Sequence, residues 1–365
     1  MKILYVCSEF YAGMMPFGAA IVNTMQESEH EIFGVFVCSP QCNYRKVVID
    51  NNNENFIFID TPMDKLGRGY FRLFGFSIIK AIRKICRENK IDTIHLLTED
   101  GSLAFYLKSL GTKAKLFYTV HDFKQHESKS KNIVKKIVHY LLVERRTQYL
   151  INNIDNHITC SKQQYSELAD IYKEKKLYYH NFPSLVTESI ENGNKLVPEL
   201  KNINDYILFF GRIELYKGIH ILYDEYCVNT SLGNKPLVIA GSGEIYFQRK
   251  ESHENNIIFI SRYIEDEELN DLFQNAYCVI YPYISATQSG VLSLAYHYNK
   301  PVIVSNVPFF KDCLIEGETG YIFDVNKPQT LVDVFSKLVN FKKQQSNYYN
   351  ANALREQLVE IYKNE

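Results

Sequence analysis

Arg212 and Lys217 are two cations framed by Gly211 and Gly218 in the run GRIELYKG, directly after the apolar run YILFF. Arg presents a planar fork of donors and Lys a compact charge. Together they suit a pair of phosphates whose negative charge grows as a leaving group departs. Spacing alone leaves equal room for a solvated basic loop beside a helix start. A second loop, Gly241-Ser242-Gly243 after PLVIA, permits a tight turn and close approach of backbone to a ligand. A third, Arg262-Tyr263-Ile264 after IIFIS, suits the flat edge of a base through the Arg262 side chain and the backbone of Tyr263 and Ile264; an ordinary loop is the competing reading. The fourth, Thr287-Gln288-Ser289-Gly290-Val291, follows CVIYPY and opens the helical run VLSLAYHYNK. Small polar groups and backbone N–H groups at a helix start bind phosphate, and a plain cap by Ser289 or Thr287 fits the same residues.

The elements that must position these loops are short apolar runs alternating with amphipathic stretches. KILYVCS, IFGVFVC, NFIFID, TIHLLT, AKLFYTV and HITCS occupy the first half, and YILFFGR, PLVIAG, IIFIS, CVIYP and PVIVSN the second. Such alternation predicts parallel sheets with crossover helices, here two Rossmann-like, doubly wound α/β domains. The polar stretch from Leu185 to Asp205 reads as the linker, giving an N-terminal domain over 1–185 and a C-terminal one over 186–343. The final segment, 344–365, has helical periodicity and is expected to pack back on the first domain. Ligand loops of doubly wound sheets lie at the carboxyl ends of the strands, so the expected site is a cleft between two such domains.

Composition removes several alternatives. Lys plus Arg number 41 and Asp plus Glu 42, so no global field draws the chain to nucleic acid. The eight cysteines are scattered, mostly inside apolar runs, as reduced buried thiols are; Cys38 and Cys42 have no nearby partners that would complete a zinc set. No apolar run reaches the length of a membrane span, and the N-terminal strand lacks the features of a signal peptide, so a cytoplasmic protein is expected.

Taken in order, GRIELYKG, IAGSGE, SRYIEDEEL, SATQSGVLSLAYHYNKPVI and EGETGYIFD resemble the second domain of a GT-B fold glycosyltransferase, similar to the retaining family 4 (glycosyl transferases group 1) enzymes. The likeness runs over about Tyr206 to Asp324 and is looser in the first half. It implies a nucleotide-sugar donor held by the second domain, with Arg212 and Lys217 on the diphosphate. Gly241 to Gly243 would then line the nucleotide pocket, Arg262 to Ile264 the base, and Thr287 to Val291 the distal phosphate and sugar. It also implies that His121, in TVHDF, reaches the donor sugar, a buried structural histidine being the alternative. Gly13, Gly18 and Asp122 are carried over as acceptor-side loop residues. The family often carries two glutamates with seven residues between them, and the matching positions here are Ala286 and Leu294. The implied reaction is sugar transfer to an acceptor hydroxyl in surface polysaccharide or glycan biosynthesis, requiring neither metal nor other cofactor. A catalytically inactive nucleotide-sugar-binding or scaffold protein and a GT-B-like epimerase are the alternatives.

Local charge adds one expectation. From Lys65 to Lys90 there are eight Lys and Arg against the single acid Glu88, interleaved with Tyr70, Phe71, Phe74 and Phe76. From Lys124 to Thr147 seven cations face two glutamates. Basic, aromatic segments of this kind suit peripheral contact with an anionic membrane face or a lipid-linked acceptor, while solvated helix faces carry the same pattern.

Overall fold

The computed structural model describes residues 1–8, 14–42, 44–49, 54–73, 75–98, 103, 110–121, 123, 140, 144–250, 254, 256–342 and 346–364. They fall into two compact units, Met1–Pro183 with Asn350–Glu365, and Ser184–Tyr349.

Unit 1 is built on a parallel sheet of seven strands: β1 (Lys2–Ser8), β2 (Glu31–Cys38), β3 (Phe56–Asp60), β4 (Thr93–Leu96), β5 (Lys115–Thr119), β6 (Asn156–Thr159) and β7 (Lys176–Tyr179). Their order is β3-β2-β1-β4-β5-β6-β7. The central strands are buried along nearly their whole length, as parallel strands covered on both faces must be, which is why they read as unbroken apolar runs. The chain reverses its direction of travel across the sheet between β1 and β4.

Unit 2 repeats the plan with six parallel strands: β8 (Tyr206–Phe210), β9 (Leu237–Ala240), β10 (Ile257–Ile260), β11 (Ala276–Tyr281), β12 (Val302–Ser305) and β13 (Gly320–Phe323). The order β10-β9-β8-β11-β12-β13 places the switch between β8 and β11, with Leu208 paired to Val279. This relationship positions the site, because doubly wound sheets bind their ligands at the carboxyl ends of the strands beside this switch point.

One segment departs from the sequence reading. The stretch after Leu185 is packed onto unit 2 and does not behave as a free linker. Thr187 caps the helix Glu188–Glu191, the Tyr298 hydroxyl donates to Ile190 O at 2.8 Å, and Val197 N donates to Asp271 at 2.8 Å. Its polar composition concealed Ile190, Val197 and Leu200, which are buried one at a time. The final helix starts at Ala351, capped by Asn350, and belongs to unit 1. Leu354, Leu358, Ile361 and Tyr362 form its buried face, and Arg355 Nε donates to Thr24 O at 2.9 Å.

Candidate active site

After β8 the chain passes Gly211, turns through the 3₁₀ segment Leu215–Lys217, and enters the helix Ile219–Val228 at Gly218. Gly218 has φ +64°, and a Cβ there would collide with Pro282 O of the loop after β11. Only glycine lets the two switch-point loops touch. Their contact is completed by Ile284 N, which donates to Tyr216 O at 2.8 Å.

Lys217 sits at this junction and is only 8% exposed. Its Nζ donates to the Tyr283 hydroxyl at 2.6 Å and lies 4.0 Å from the Tyr283 ring centroid and 5.0 Å from that of Tyr216. The Ser289 hydroxyl donates to the same Tyr283 hydroxyl at 3.3 Å, and the Tyr283 backbone carbonyl separately accepts from the Ser305 hydroxyl at 2.6 Å. Burial pushes the Lys217 ammonium down to about 7, helped by the positive field of Arg212 and opposed by Glu214. A cation held so dry is poorly solvated and gains strongly from an anion, since no water must be displaced from it again. Arg212, by contrast, is half exposed and forms an ion pair with Glu214 at 3.2 Å. The two cations therefore differ: Lys217 is fixed by packing, and Arg212 is held loosely at the surface.

The Gly241-Ser242-Gly243 turn packs against the same loop. Gly211 N donates to Ala240 O at 3.0 Å and Ile213 N to Ser242 O at 2.8 Å. Gly241 has φ +148°, and a Cβ there would collide with Gly211 O. The glycines thus let two loops lie against each other, with Ser242 partly exposed at the turn.

Arg262 is held by bonds within unit 2. Its guanidinium makes two bonds to Glu199, at 2.8 and 2.9 Å, two to Glu268, both at 2.8 Å, and one to Tyr263 O at 3.1 Å. Glu268 is buried and also caps Glu265 N at 2.9 Å. The Arg262 side chain, expected at a base, ties the segment after Leu185 to the loop after β10. Tyr263 remains largely exposed and Ile264 is buried.

Thr287, Gln288 and Gly290 are partly exposed, Ser289 is buried, and the helix Val291–His297 begins without a side-chain cap. The plain cap by Ser289 or Thr287 is therefore not made; Ser289 turns inward to Tyr283, and the Tyr281 hydroxyl donates to Val291 O at 3.0 Å. Ala286 is partly exposed, and Leu294 is buried in the helix.

In unit 1, His121 follows β5 and is 6% exposed. Its Nε2 donates to Leu97 O at 2.7 Å, which fixes the proton on that nitrogen because a carbonyl only accepts. The Phe17 ring meets it edge-on at 4.8 Å. Gln164 clamps the flanking backbone, donating to Val120 O and accepting from Phe123 N, both at 2.7 Å. Gly18 lies in the helix Met15–Gln26, and a Cβ there would collide with Cys7 Sγ of β1. It is a packing glycine and not a loop residue. Gly13 and Asp122 lie outside the described residues.

Tyr283, Glu199 and Gln164 are functional or supporting residues that sequence reasoning missed. The YPY run after β11 was the only available signal for Tyr283. Nothing local marks the other two.

Residues 194–355 match the family described as Glycosyl transferases group 1. The chain is 24% identical over 271 residues to D-rhamnosyltransferase WbpZ of Pseudomonas aeruginosa, covering 70% of this chain and 65% of that protein. It is 25% identical over 218 residues to the capsular polysaccharide biosynthesis glycosyltransferase CapM of Staphylococcus aureus, covering 53% and 57%. The chain thus spans less than two thirds of the length of these curated relatives. Among solved structures, Anabaena Alr3699/HepE in complex with UDP and glucose superimposes with a TM-score of 0.61 at 14% identity, over 100% of this chain and 97% of that one. With two doubly wound parallel sheets, and a match to glycosyl transferases group 1 over residues 194–355, nearly all of them in the second unit, the chain has the GT-B fold.

Proposed function

We propose that the protein transfers a sugar from a nucleoside diphosphate sugar to an acceptor hydroxyl of a glycan or lipid-linked glycan, with retention of configuration, in building a surface polysaccharide. The observation that carries this reading is the buried Lys217 ammonium at the contact of the β8 and β11 loops, the crevice where doubly wound sheets bind ligands. The family relatives named for rhamnosyl transfer and capsular polysaccharide, and the UDP held by the Anabaena protein, support the donor and the product class.

In this reading Lys217 and Arg212 meet the diphosphate. As the bond to the sugar breaks, charge collects on the leaving phosphate oxygen, and a preorganised cation lowers that state more than the ground state. The two cations supply the charge that a divalent ion supplies elsewhere, so the proposal routes no step through a metal. Gly241 to Gly243 and the backbone of Tyr263 and Ile264 line the nucleotide, without the Arg262 side chain. Thr287, Gln288 and Ser289 face the distal phosphate and sugar, and Gln288 takes the polar contact that Ala286 cannot make. The leaving phosphate accepts the acceptor's proton.

The test is incubation with a panel of radiolabelled nucleotide sugars and glycan acceptors. Label enters the acceptor with one donor, and Lys217→Ala lowers turnover by about 10²–10³-fold. Binding of a nucleotide sugar with neither transfer nor hydrolysis would overturn the transferase reading in favour of a scaffold.

A further inference from the structure

A cavity of about 280 Å³ opens at the edge of unit 1's sheet, apart from every residue assigned above. β7 is the last strand, and Leu177, Tyr178 and Tyr179 form one wall. Tyr165, on the helix Lys162–Ile171, and Gln357 and Glu360, on the helix Ala351–Lys363, face it, with Asn364 at the end of that last helix. β7 stands three strand spacings from β4, roughly 14 Å along the sheet from the switch between β1 and β4.

No Lys or Arg lines this cavity, so nothing in it selects a phosphate or a nucleotide. Two of the three tyrosines have packing roles: Lys162 Nζ stands over the Tyr179 ring at 5.9 Å, and Tyr178 lies 6.0 Å from Phe117. Tyr165 differs. It is 37% exposed, and neither its ring nor its hydroxyl has a partner among the described residues. Beside it the polar groups are fixed or open. Gln357 Oε1 accepts from Asn181 N at 3.0 Å, which holds the amide and leaves its nitrogen as a double donor. Glu360 is exposed and enters no ion pair among the described residues. Lys176 N donates to Asp155 O at 2.9 Å and His180 N to Thr159 O at 3.3 Å, so the alternate residues Leu177 and Tyr179 turn their backbone N–H and C=O groups away from the sheet.

An exposed aromatic face flanked by amide donors and a carboxylate acceptor matches one class of ligand. A pyranose packs the C–H groups of its ring face on an aromatic ring, and its hydroxyls donate and accept around the rim. The volume lies just below the roughly 300–1,000 Å³ of sites for drug-sized ligands, which gives room for one ring and not for a peptide segment. Glu360 at a helix C-terminus repels anions, so the ring is uncharged.

We propose that this cavity binds one neutral sugar residue of the acceptor glycan, as a secondary site that holds the chain some residues back from the end that reacts. The proposal rests on the transferase reading for the glycan being the acceptor; the binding itself requires neither donor nor turnover.

The experiment is saturation-transfer NMR and titration of the full chain, without donor, against neutral trisaccharides of mannose, rhamnose, glucose and galactose. At least one is expected to bind, and Tyr165→Ala to weaken it about tenfold. Tyr165→Phe, which keeps the ring, is expected to bind within a few-fold of the parent. Tyr70→Ala, which removes a tyrosine exposed elsewhere in unit 1, is expected to match the parent. The site is overturned if no trisaccharide binds, or if Tyr165→Ala binds as the parent does. It is equally overturned if tetramethylammonium binds with the same dependence on Tyr165 and displaces the sugar, since the rings then serve as a cage for a cation. Transfer assays separate the two readings. A chain that binds through Tyr165 but transfers no sugar keeps the site and loses the transferase; a chain that transfers, with a KM for long acceptors unchanged by Tyr165→Ala, loses the site and keeps the transferase.

Discussion

The Lys217 ammonium donates to the Tyr283 hydroxyl at 2.6 Å, joining the loop after β8 to the loop after β11. The bond does two things at once: it satisfies a charge that is almost completely buried, and it fixes the crevice at the sheet's switch point. Tyr283→Phe keeps the ring and removes the acceptor. It is expected to cost about 1–3 kcal/mol of stability, the penalty for a buried donor left unpaired. Urea denaturation of unit 2's variant in the full chain reads it; a midpoint equal to the parent's contradicts the pairing.

The lowered Lys217 value gives a pH dependence with a definite sign. Between about 7 and the ordinary lysine value, the unfolded chain holds a proton that the folded chain has released. Stability therefore rises with pH across that window, and Lys217→Met removes this rise. Diphosphate binding runs the other way. Above pH 7 the lysine must take up a proton to meet the anion, so affinity relative to Lys217→Met falls by up to about tenfold per pH unit. Calorimetry at pH 6 and 8.5 in buffers of different ionisation enthalpy detects the proton uptake; a parent and variant with parallel pH profiles contradict it.

Leu294 lies where the resemblance implies a glutamate, and it is buried in the helix Val291–His297. Leu294→Ala is expected to act by leaving a cavity, at about 2–5 kcal/mol, without changing donor affinity in the protein that remains folded. A raised donor dissociation constant with an unchanged melting temperature contradicts this.

Arg262 is paired with both Glu199 and Glu268. Its loss leaves the Glu268 carboxylate buried without its partner and frees Glu199. Arg262→Ala is expected to destabilise by about 2–4 kcal/mol, less than for a fully buried pair because Arg262 is one-third exposed. Nucleoside diphosphate affinity measured well below the variant's melting point is expected to match the parent's. A weakened affinity with unchanged stability restores the base-binding role.

The fold was legible because most central strands are apolar runs ended by glycine or a polar loop, as in YILFFGR and PLVIAG. The order of the loops carried the family. What was not legible depended on distance or on packing. Glu199 meets Arg262 across 63 residues, so no local pattern announces the pair. Lysines are rarely buried, so a sequence gives no reason to place Lys217 inside and Arg212 outside. A glycine looks the same whether it opens a loop or, like Gly18, lets a helix lie against a strand. Polar composition after Leu185 likewise hid the three apolar residues that pin that segment to unit 2.

The central claim is that Lys217, with Arg212, holds the diphosphate of a sugar nucleotide. Calorimetric titration of the parent, Arg212→Ala and Lys217→Met with UDP, GDP, ADP, CDP and dTDP tests it most directly. The account predicts that one nucleoside diphosphate binds the parent, that Lys217→Met weakens it by about 10–10²-fold with the fold retained, and that Arg212→Ala weakens it less because that side chain is more exposed. Equal affinity of the parent and Lys217→Met for the nucleotide that binds, or no binding of any of the five, would contradict it.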